Sequence, residues 1–193
     1  LIDIQNGRVV GVKTNRGDIA CGKAMQAVAG MSSELARLAG FRLPIRTIPL
    51  QACVSEAVKP FLDPIIVSGS LHIYVSQSAR GELVMGGSTD PYPLYSTRST
   101  LEFKEDLMMH MLELFPFIGS LRVLRQWAGM ADMTPDFSPV MGLTPVENYY
   151  IDAGWGTWGF KATPVSGTCM AETIATGKPH RLCAPFSLER FYQ

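Results

Sequence analysis

The chain has 193 residues, of which 47% are hydrophobic, and its 17 lysines and arginines balance 17 aspartates and glutamates. That length suits one domain, or one domain with part of another, and the zero net charge argues against a nucleic-acid partner. No apolar run approaches the roughly 18 residues of a membrane-spanning helix, and no basic-then-apolar signal segment opens the chain.

The four cysteines are too widely spaced to suggest a metal or disulfide framework. Cys21, Cys53, Cys169 and Cys183 form no CxxC pair, so we expect isolated buried thiols and no metal site. Because free thiols persist in reducing compartments, a cytoplasmic location fits best.

The chain opens with strand-like sequence. Leu1–Ile4 and Arg8–Thr14 flank Asn6-Gly7, a strong hairpin signal because both residues tolerate positive φ. A second turn at Arg16-Gly17-Asp18 leads to a strand over 19–21, which predicts a three-stranded meander. A domain seldom starts in mid-sheet, so we expect that residues upstream are missing.

Two helices and a larger sheet are predicted next. Ser32-Ser33 provides the N-cap of a helix that Gly40 ends, and Leu43–Pro49 is predicted to be a crossing segment. A second helix, Ser99–Leu114, begins with a capping box of Ser99 and Glu102. The residues assigned to its apolar face are Leu101, Leu107, Met108, Met111 and Leu112. The predicted strands are 51–58, 65–67, 71–77, 82–88, 121–130, 140–143 and 149–153.

The last strand leads into a glycine-rich turn and a final helix. That helix is predicted over Pro164–Thr176, with Thr163 as its N-cap and Gly177 as its stop. The turn, Gly154 to Gly159, spells GxGxxG. No second strand with an acidic end follows at the required distance, so a Rossmann site is rejected.

The turn still has the physical properties of a ligand-binding segment. Closely spaced glycines let the backbone approach a flat ligand, and the following helix directs free N–H groups and its positive dipole end toward the turn. Lys161 adds a full positive charge. The alternative is a tight strand-to-helix turn followed by a solvated lysine.

Several stretches resemble the D-amino-acid-oxidase-like flavoenzymes. They include "YYIDAGWGTWGFKATPVSG", "RGDIACGKAMQAVAGMSSELARLAGFRLPI" and "RQWAGMADMTPDFSPVMG". Within that family, "LHIYVSQSARGELVMGG", "LELFPFI" and "PHRLCAPFSLERF" are most similar to the beta subunits of heterotetrameric sarcosine oxidases. The resemblance covers nearly all of this chain but only the second half of such a subunit.

The resemblance implies roles for four residues. Gly156, Gly159 and Lys161 match the turn that contacts FAD, and Lys161 would lie where it could bind a substrate carboxylate. Arg125 resembles an arginine that contacts FMN phosphate, for which a guanidinium is well suited; the alternative is a surface ion pair. The bulky Trp158, where relatives have a small residue, is expected to crowd the flavin.

The implied fold is α/β (α+β). Residues 1–44 and 145–193 would be remnants of a FAD/NAD(P)-binding domain, and 45–144 a mixed-sheet substrate-binding domain. FAD would be bound noncovalently, mostly by the missing N-terminal half. FMN would join in the intact complex, its histidine attachment lying outside this chain, so His72, His110 and His180 are expected to be ordinary residues.

The implied function is oxidation of sarcosine or a similar secondary amino acid by the intact enzyme, with this part inactive alone. The expected partners are the missing half, the other sarcosine oxidase subunits and, for the isolated chain, further copies of itself. Two alternatives stay open: a glycine- or proline-type amino-acid dehydrogenase, and a truncated interaction domain without catalysis.

Overall fold

The computed structural model describes residues 1–87 and 89–192. In chain order its strands are β1 (Ile2–Gln5), β2 (Arg8–Thr14), β3 (Gly17–Ala20), β4 (Ala24–Gln26), β5 (Arg46–Ala57), β6 (Ile66–Ser68), β7 (Ile73–Gln77), β8 (Glu82–Gly87), β9 (Val123–Met133), β10 (Val140–Leu143) and β11 (Tyr149–Ala153). The helices are α1 (Ser32–Leu38), α2 (Leu101–Leu114) and α3 (Gly159–Thr176). Among the described residues, no helix combines the length and apolar character needed to cross a bilayer.

The chain forms two compact units. Unit 1 comprises Leu1–Thr47 and the residues from Ala131 onward, and unit 2 comprises Ile48–Met130. Strands β10 and β11, which pair with each other, both lie in unit 1. The predicted limits of the flavin-binding and substrate-binding domains stay predictions.

The meander at the start of unit 1 agrees with the sequence prediction. Strands β1, β2 and β3 form an antiparallel sheet in that order. Asn6 and Gly7 have φ angles of 52° and 76°, the positive values that a tight hairpin turn requires.

A second sheet in unit 1 joins the two ends of the chain. Its order is β10-β11-β4, and β11 runs parallel to β4, with Tyr149 opposite Ala24. Successive side chains of a strand point to opposite faces. Ile151 packs with Ala36 of α1, whereas Tyr150 packs with Met170 of α3. The two helices therefore cover opposite faces of this sheet, as in an α/β fold.

Unit 2 is a five-stranded sheet with a helix packed on it. The strand order is β6-β7-β8-β5-β9. Helix α2 contributes Phe103, Leu107 and Met111 to the core, which also contains Cys53, Ile73, Val75, Leu83, Met85 and Ile118. The predicted apolar face omitted Phe103 and wrongly included Leu101, which is 62% exposed.

Other predicted element ends are wrong in places. The predicted crossing segment over 43–49 is replaced from Arg46 by strand β5. The N-cap of α2 is Thr100, whose side chain accepts a hydrogen bond from the Phe103 N–H, rather than Ser99. No side chain caps α1, whose N-cap is Met31. The predicted strand over 82–88 reaches Gly87, and Ser88 lies outside the described residues.

Candidate functional site

The glycine turn after β11 has a backbone that only glycine adopts easily. Gly154 and Gly156 have φ angles of 77° and 54°, in the left-handed region. A Cβ atom on Gly154 would lie 2.6 Å from Cγ2 of Thr134, and one on Gly159 would lie 3.1 Å from Cβ of Trp155. The turn is therefore both left-handed and closely packed on its inner side.

Asp132, near the end of β9, holds the turn in place. Its carboxylate accepts hydrogen bonds from the backbone N–H of Gly154 at 2.6 Å and of Gly156 at 3.1 Å. The Asp132 carbonyl also accepts from Gly156 N–H at 3.2 Å. The aspartate is buried, and a buried carboxylate requires such partners. Sequence reasoning did not single out Asp132, because its partners Gly154 and Gly156 lie 22 and 24 residues away in the chain.

A second carboxylate anchors the turn to α3. Asp152 accepts a hydrogen bond from Trp155 Nε1 at 2.6 Å and another from the Ser166 hydroxyl. The turn is therefore attached to β9 on one side and to α3 on the other. Such support from surrounding residues preorganises a binding segment.

Helix α3 begins five residues earlier than predicted, at Gly159. Thr163 is not its N-cap, because its hydroxyl lies inside the helix and donates to the Gly159 carbonyl at 3.0 Å. Pro164 also lies inside the helix. No side chain caps the observed N-terminus, so N–H groups of the first turn are available to an anionic or polar ligand.

Lys161 lies in this first turn, with no acidic residue beside it there. Its Nζ lies 5.0 Å from the ring centroid of Trp158, and the lysine is exposed. A cation is unfavourable at the positive end of a helix. The indole supplies partial compensation through a cation–π contact, and Trp158 itself is 59% exposed.

Arg125 lies in unit 2, whereas Gly156, Gly159 and Lys161 lie together in unit 1. Residues 124–127 of β9 are all exposed. Arg125 and Trp127 share one face of the strand, since alternate residues point the same way. Within the described residues, the ion pairs do not include Arg125.

The structure also places a buried cysteine and two histidines that lie outside the glycine turn. Burial raises the pKa of the Cys53 thiol to about 11, so this cysteine is protonated and unreactive near neutral pH. Among the histidines, Nδ1 of His110 lies 3.8 Å from the carboxylate of Asp106, and His72 occupies a left-handed turn with φ of 52°.

The amino-acid sequence of the chain is similar to those of bacterial sarcosine oxidase beta subunits. The chain is 50% identical to sarcosine oxidase subunit beta of Rhodobacter capsulatus over 187 residues, which are 97% of this chain and 45% of that protein. It is 50% identical to the subunit of the same name from an Arthrobacter species, over 95% of this chain and 45% of that protein. It therefore spans about half the length of these relatives.

The fold of the chain is also similar to those of two enzymes of known structure that are named as acting on amino acids. L-proline dehydrogenase from P. horikoshii superposes with a TM-score of 0.88 at 29% identity, covering 99% of this chain and 52% of that one. Glycine oxidase from Geobacillus kaustophilus shares the fold, with a TM-score of 0.84 at 21% identity over 98% of this chain and 50% of that one. The FAD dependent oxidoreductase family matches residues 1–173, and the chain belongs to that family.

Proposed function

We propose that this chain is the C-terminal part of an FAD-dependent amine oxidoreductase that oxidises sarcosine or a similar secondary amino acid. The observation that carries the proposal is the glycine turn held by Asp132, which leads into the uncapped start of α3 beside Lys161. The 50% identity to proteins named sarcosine oxidase subunit beta supports the choice of substrate class.

The residues of the turn fit a flavin. Glycine at 156 and 159 lets the turn pack closely on Met133 and Trp155, and the first-turn N–H groups of α3 suit the partial negative charge of a flavin edge. When bound, FAD supplies the hydride acceptor, while the protein orients the substrate and sets the local charge. Lys161 would bind the substrate carboxylate.

Arg125 suits the phosphate of a second flavin, FMN. A guanidinium binds phosphate in two-point fashion, and exposed Trp127 on the same strand face offers an aromatic surface next to it. Because the chain spans 45% of its relatives, we propose that residues outside it make most FAD contacts. Other sarcosine oxidase subunits are the proposed partners, and the cytoplasm is the expected compartment.

The test is Lys161→Met in a full-length protein that contains this chain. Methionine keeps an unbranched stem and removes the charge, so we expect the affinity for sarcosine to fall by about 1.5–3 kcal/mol, the usual value of a hydrogen bond to a charged group. The melting temperature should change little, because Lys161 is exposed. Steady-state kinetics and a thermal melt measure the two effects.

Lys178→Met is the matched control, since Lys178 is an exposed lysine just beyond the other end of α3. It should leave both kinetics and melting temperature unchanged. Unchanged kinetics with a lowered melting temperature in Lys161→Met would make this lysine structural and contradict the proposal.

A second candidate is an amino-acid dehydrogenase of the proline type. The superposition on L-proline dehydrogenase favours it. Strand β8 contains no lysine; monomeric oxidases of the resembled family have an oxygen-activating lysine there, but the heterotetrameric type also lacks it, so the strand does not separate the two candidates. Turnover with oxygen would support an oxidase, and turnover only with an artificial electron acceptor would support a dehydrogenase.

A further inference from the structure

Three side chains of metal-binding type meet beside the C-terminal half of α3. A sulfur of Cys169, a sulfur of Cys183 and a ring nitrogen of His180 all lie within 4.8 Å of one another. Both cysteines are buried and His180 is partly buried. The sequence-based expectation of isolated thiols is therefore wrong for this pair, because the turn after α3 brings Cys183 back to Cys169.

The backbone around these side chains is well supported. Cys169 lies on the buried side of α3, and His180 and Cys183 lie on the turn that follows. The Thr173 hydroxyl donates to the Cys169 carbonyl at 2.9 Å and accepts from the His180 N–H at 3.0 Å. Cys183 N–H donates to the His180 carbonyl at 2.8 Å. Thr173 thus connects the segment that contains His180 to the part of α3 that contains Cys169.

We propose that Cys169, His180 and Cys183 bind a zinc ion that fastens the C-terminal tail to α3. Two thiolates and an imidazole form a soft ligand set that suits Zn²⁺. With Zn–S near 2.3 Å and Zn–N near 2.0 Å, tetrahedral ligands lie about 3.5–3.8 Å apart. Closing the cluster from separations of up to 4.8 Å therefore needs shifts of about 1 Å.

The surroundings of His180 and Cys183 agree with this assignment. Nε2 of His180 lies 3.8 Å from a carboxylate oxygen of Glu172, beyond hydrogen-bond distance; a small side-chain movement would let Glu172 orient the ring as outer carboxylates orient metal-binding histidines. Nδ1 would exchange its 3.2 Å hydrogen bond from Leu182 N–H for the metal. Zinc binding removes the proton from each coordinating thiol.

The experiment measures zinc in the full-length protein, purified without chelators. The zinc content of wild type, Cys183→Ala and Cys169→Ala is measured by inductively coupled plasma mass spectrometry. Each variant should contain one zinc ion per chain less than the wild type. Cys53→Ala, which removes another buried thiol from a different unit, should keep the wild-type zinc content. Equal zinc in wild type and Cys183→Ala would overturn the proposal.

A measurement on the wild-type sequence covers the case in which the variants fail to fold. After removal of metal with a chelator, titration with Co²⁺ should produce a thiolate-to-cobalt charge-transfer band that saturates at one equivalent and disappears when Zn²⁺ is added. Absence of that band would overturn the proposal. So would a Cys169–Cys183 disulfide found by mass spectrometry of the non-reduced, freshly purified protein.

Discussion

Gly154 illustrates how a single residue determines the conformation of the glycine turn after β11. Its left-handed φ of 77° and its closeness to Thr134 act together. Gly177, the C-cap of α3, has a similar φ of 71° but no atom within 4 Å of a Cβ placed there. An added methyl group would strain the backbone at both glycines, but only at Gly154 would it also clash with a neighbouring side chain.

We predict that Gly154→Ala is clearly more destabilising than Gly177→Ala. The shared left-handed conformation costs an alanine about 1 kcal/mol, and overpacking against Thr134 adds about 1–3 kcal/mol at residue 154. Urea unfolding followed by tryptophan fluorescence measures both variants. Equal losses in the free energy of unfolding would show that the turn relaxes around an added methyl group.

At the level of elements, the tail of the chain is held by an arginine. Arg190, in a short 3-10 helix over Leu188–Phe191, binds the Asp136 carboxylate through Nε at 2.8 Å and Nη2 at 3.2 Å. Its Nη2 also donates to the Ser138 carbonyl at 2.9 Å. These contacts attach the tail to the loop between β9 and β10.

This ion pair predicts a pH dependence of stability. Hydrogen bonding to Arg190 lowers the pKa of Asp136 from 3.8 to about 2. Because the folded-state pKa lies below the unfolded one, the contribution is complete above about pH 4 and is lost as the pH falls through about 2. The Asp136 side chain is 42% exposed, so solvent screening limits the contribution to about 1 kcal/mol or less.

We therefore expect Asp136→Asn to lower the free energy of unfolding by up to about 1 kcal/mol near neutral pH, and we expect this loss to shrink as the pH falls through about 2. Urea unfolding at several pH values gives the difference from wild type. Asp63→Asn, at an exposed carboxylate of unit 2, is the control and should match wild type throughout. A difference for Asp136→Asn that does not change with pH would contradict the assignment.

Local signals predicted strands better than helix ends. The bounds of β2, β10 and β11 were predicted from the sequence, because hairpin and turn residues determine them locally. The N-capping residues were not, because other partners take the candidate side chains, whereas the predicted stop of α3 at Gly177 is confirmed. Ser33 donates to the Ile45 carbonyl at 2.8 Å, and Ser99 donates to Gln51 Oε1 at 2.6 Å.

In the candidate site too, residues that are close together in the sequence could be predicted, and contacts between distant residues could not. Gly156, Gly159 and Lys161 could be selected from sequence because they lie in one short stretch, and their roles stay predictions. Asp132 could not, because its hydrogen bonds to Gly154 and Gly156 link two strands that are separate in sequence. The cluster of Cys169, His180 and Cys183 was missed for a related reason, since only the turn after α3 brings its members together.

At the scale of the whole molecule, exposed apolar side chains surround the start of α3. Phe160 is 98% exposed, and Trp158 and Val165 are also exposed. Exposed apolar patches on folded proteins are usually covered by partners. In a full-length protein we propose that residues outside this chain cover them.

We predict that the isolated 193-residue chain associates with itself through this surface. Light scattering over a wide concentration range should show a mass that rises with concentration. Phe160→Ser should weaken the association, whereas Leu124→Ser, at an exposed apolar residue of unit 2, should not. A monomer at every concentration would contradict the prediction.

The parallel pairing of β11 with β4 has a consequence for the order in which the chain folds. Residues 24–26 leave the ribosome long before residues 149–151, their partners in the sheet. Unit 2 is synthesised in between and has a core of its own, so it can form first. Contacts between such distant residues slow folding. During synthesis β4 therefore cannot pair with β11 until that last strand appears, and the sheet that leads into the glycine turn is completed only then.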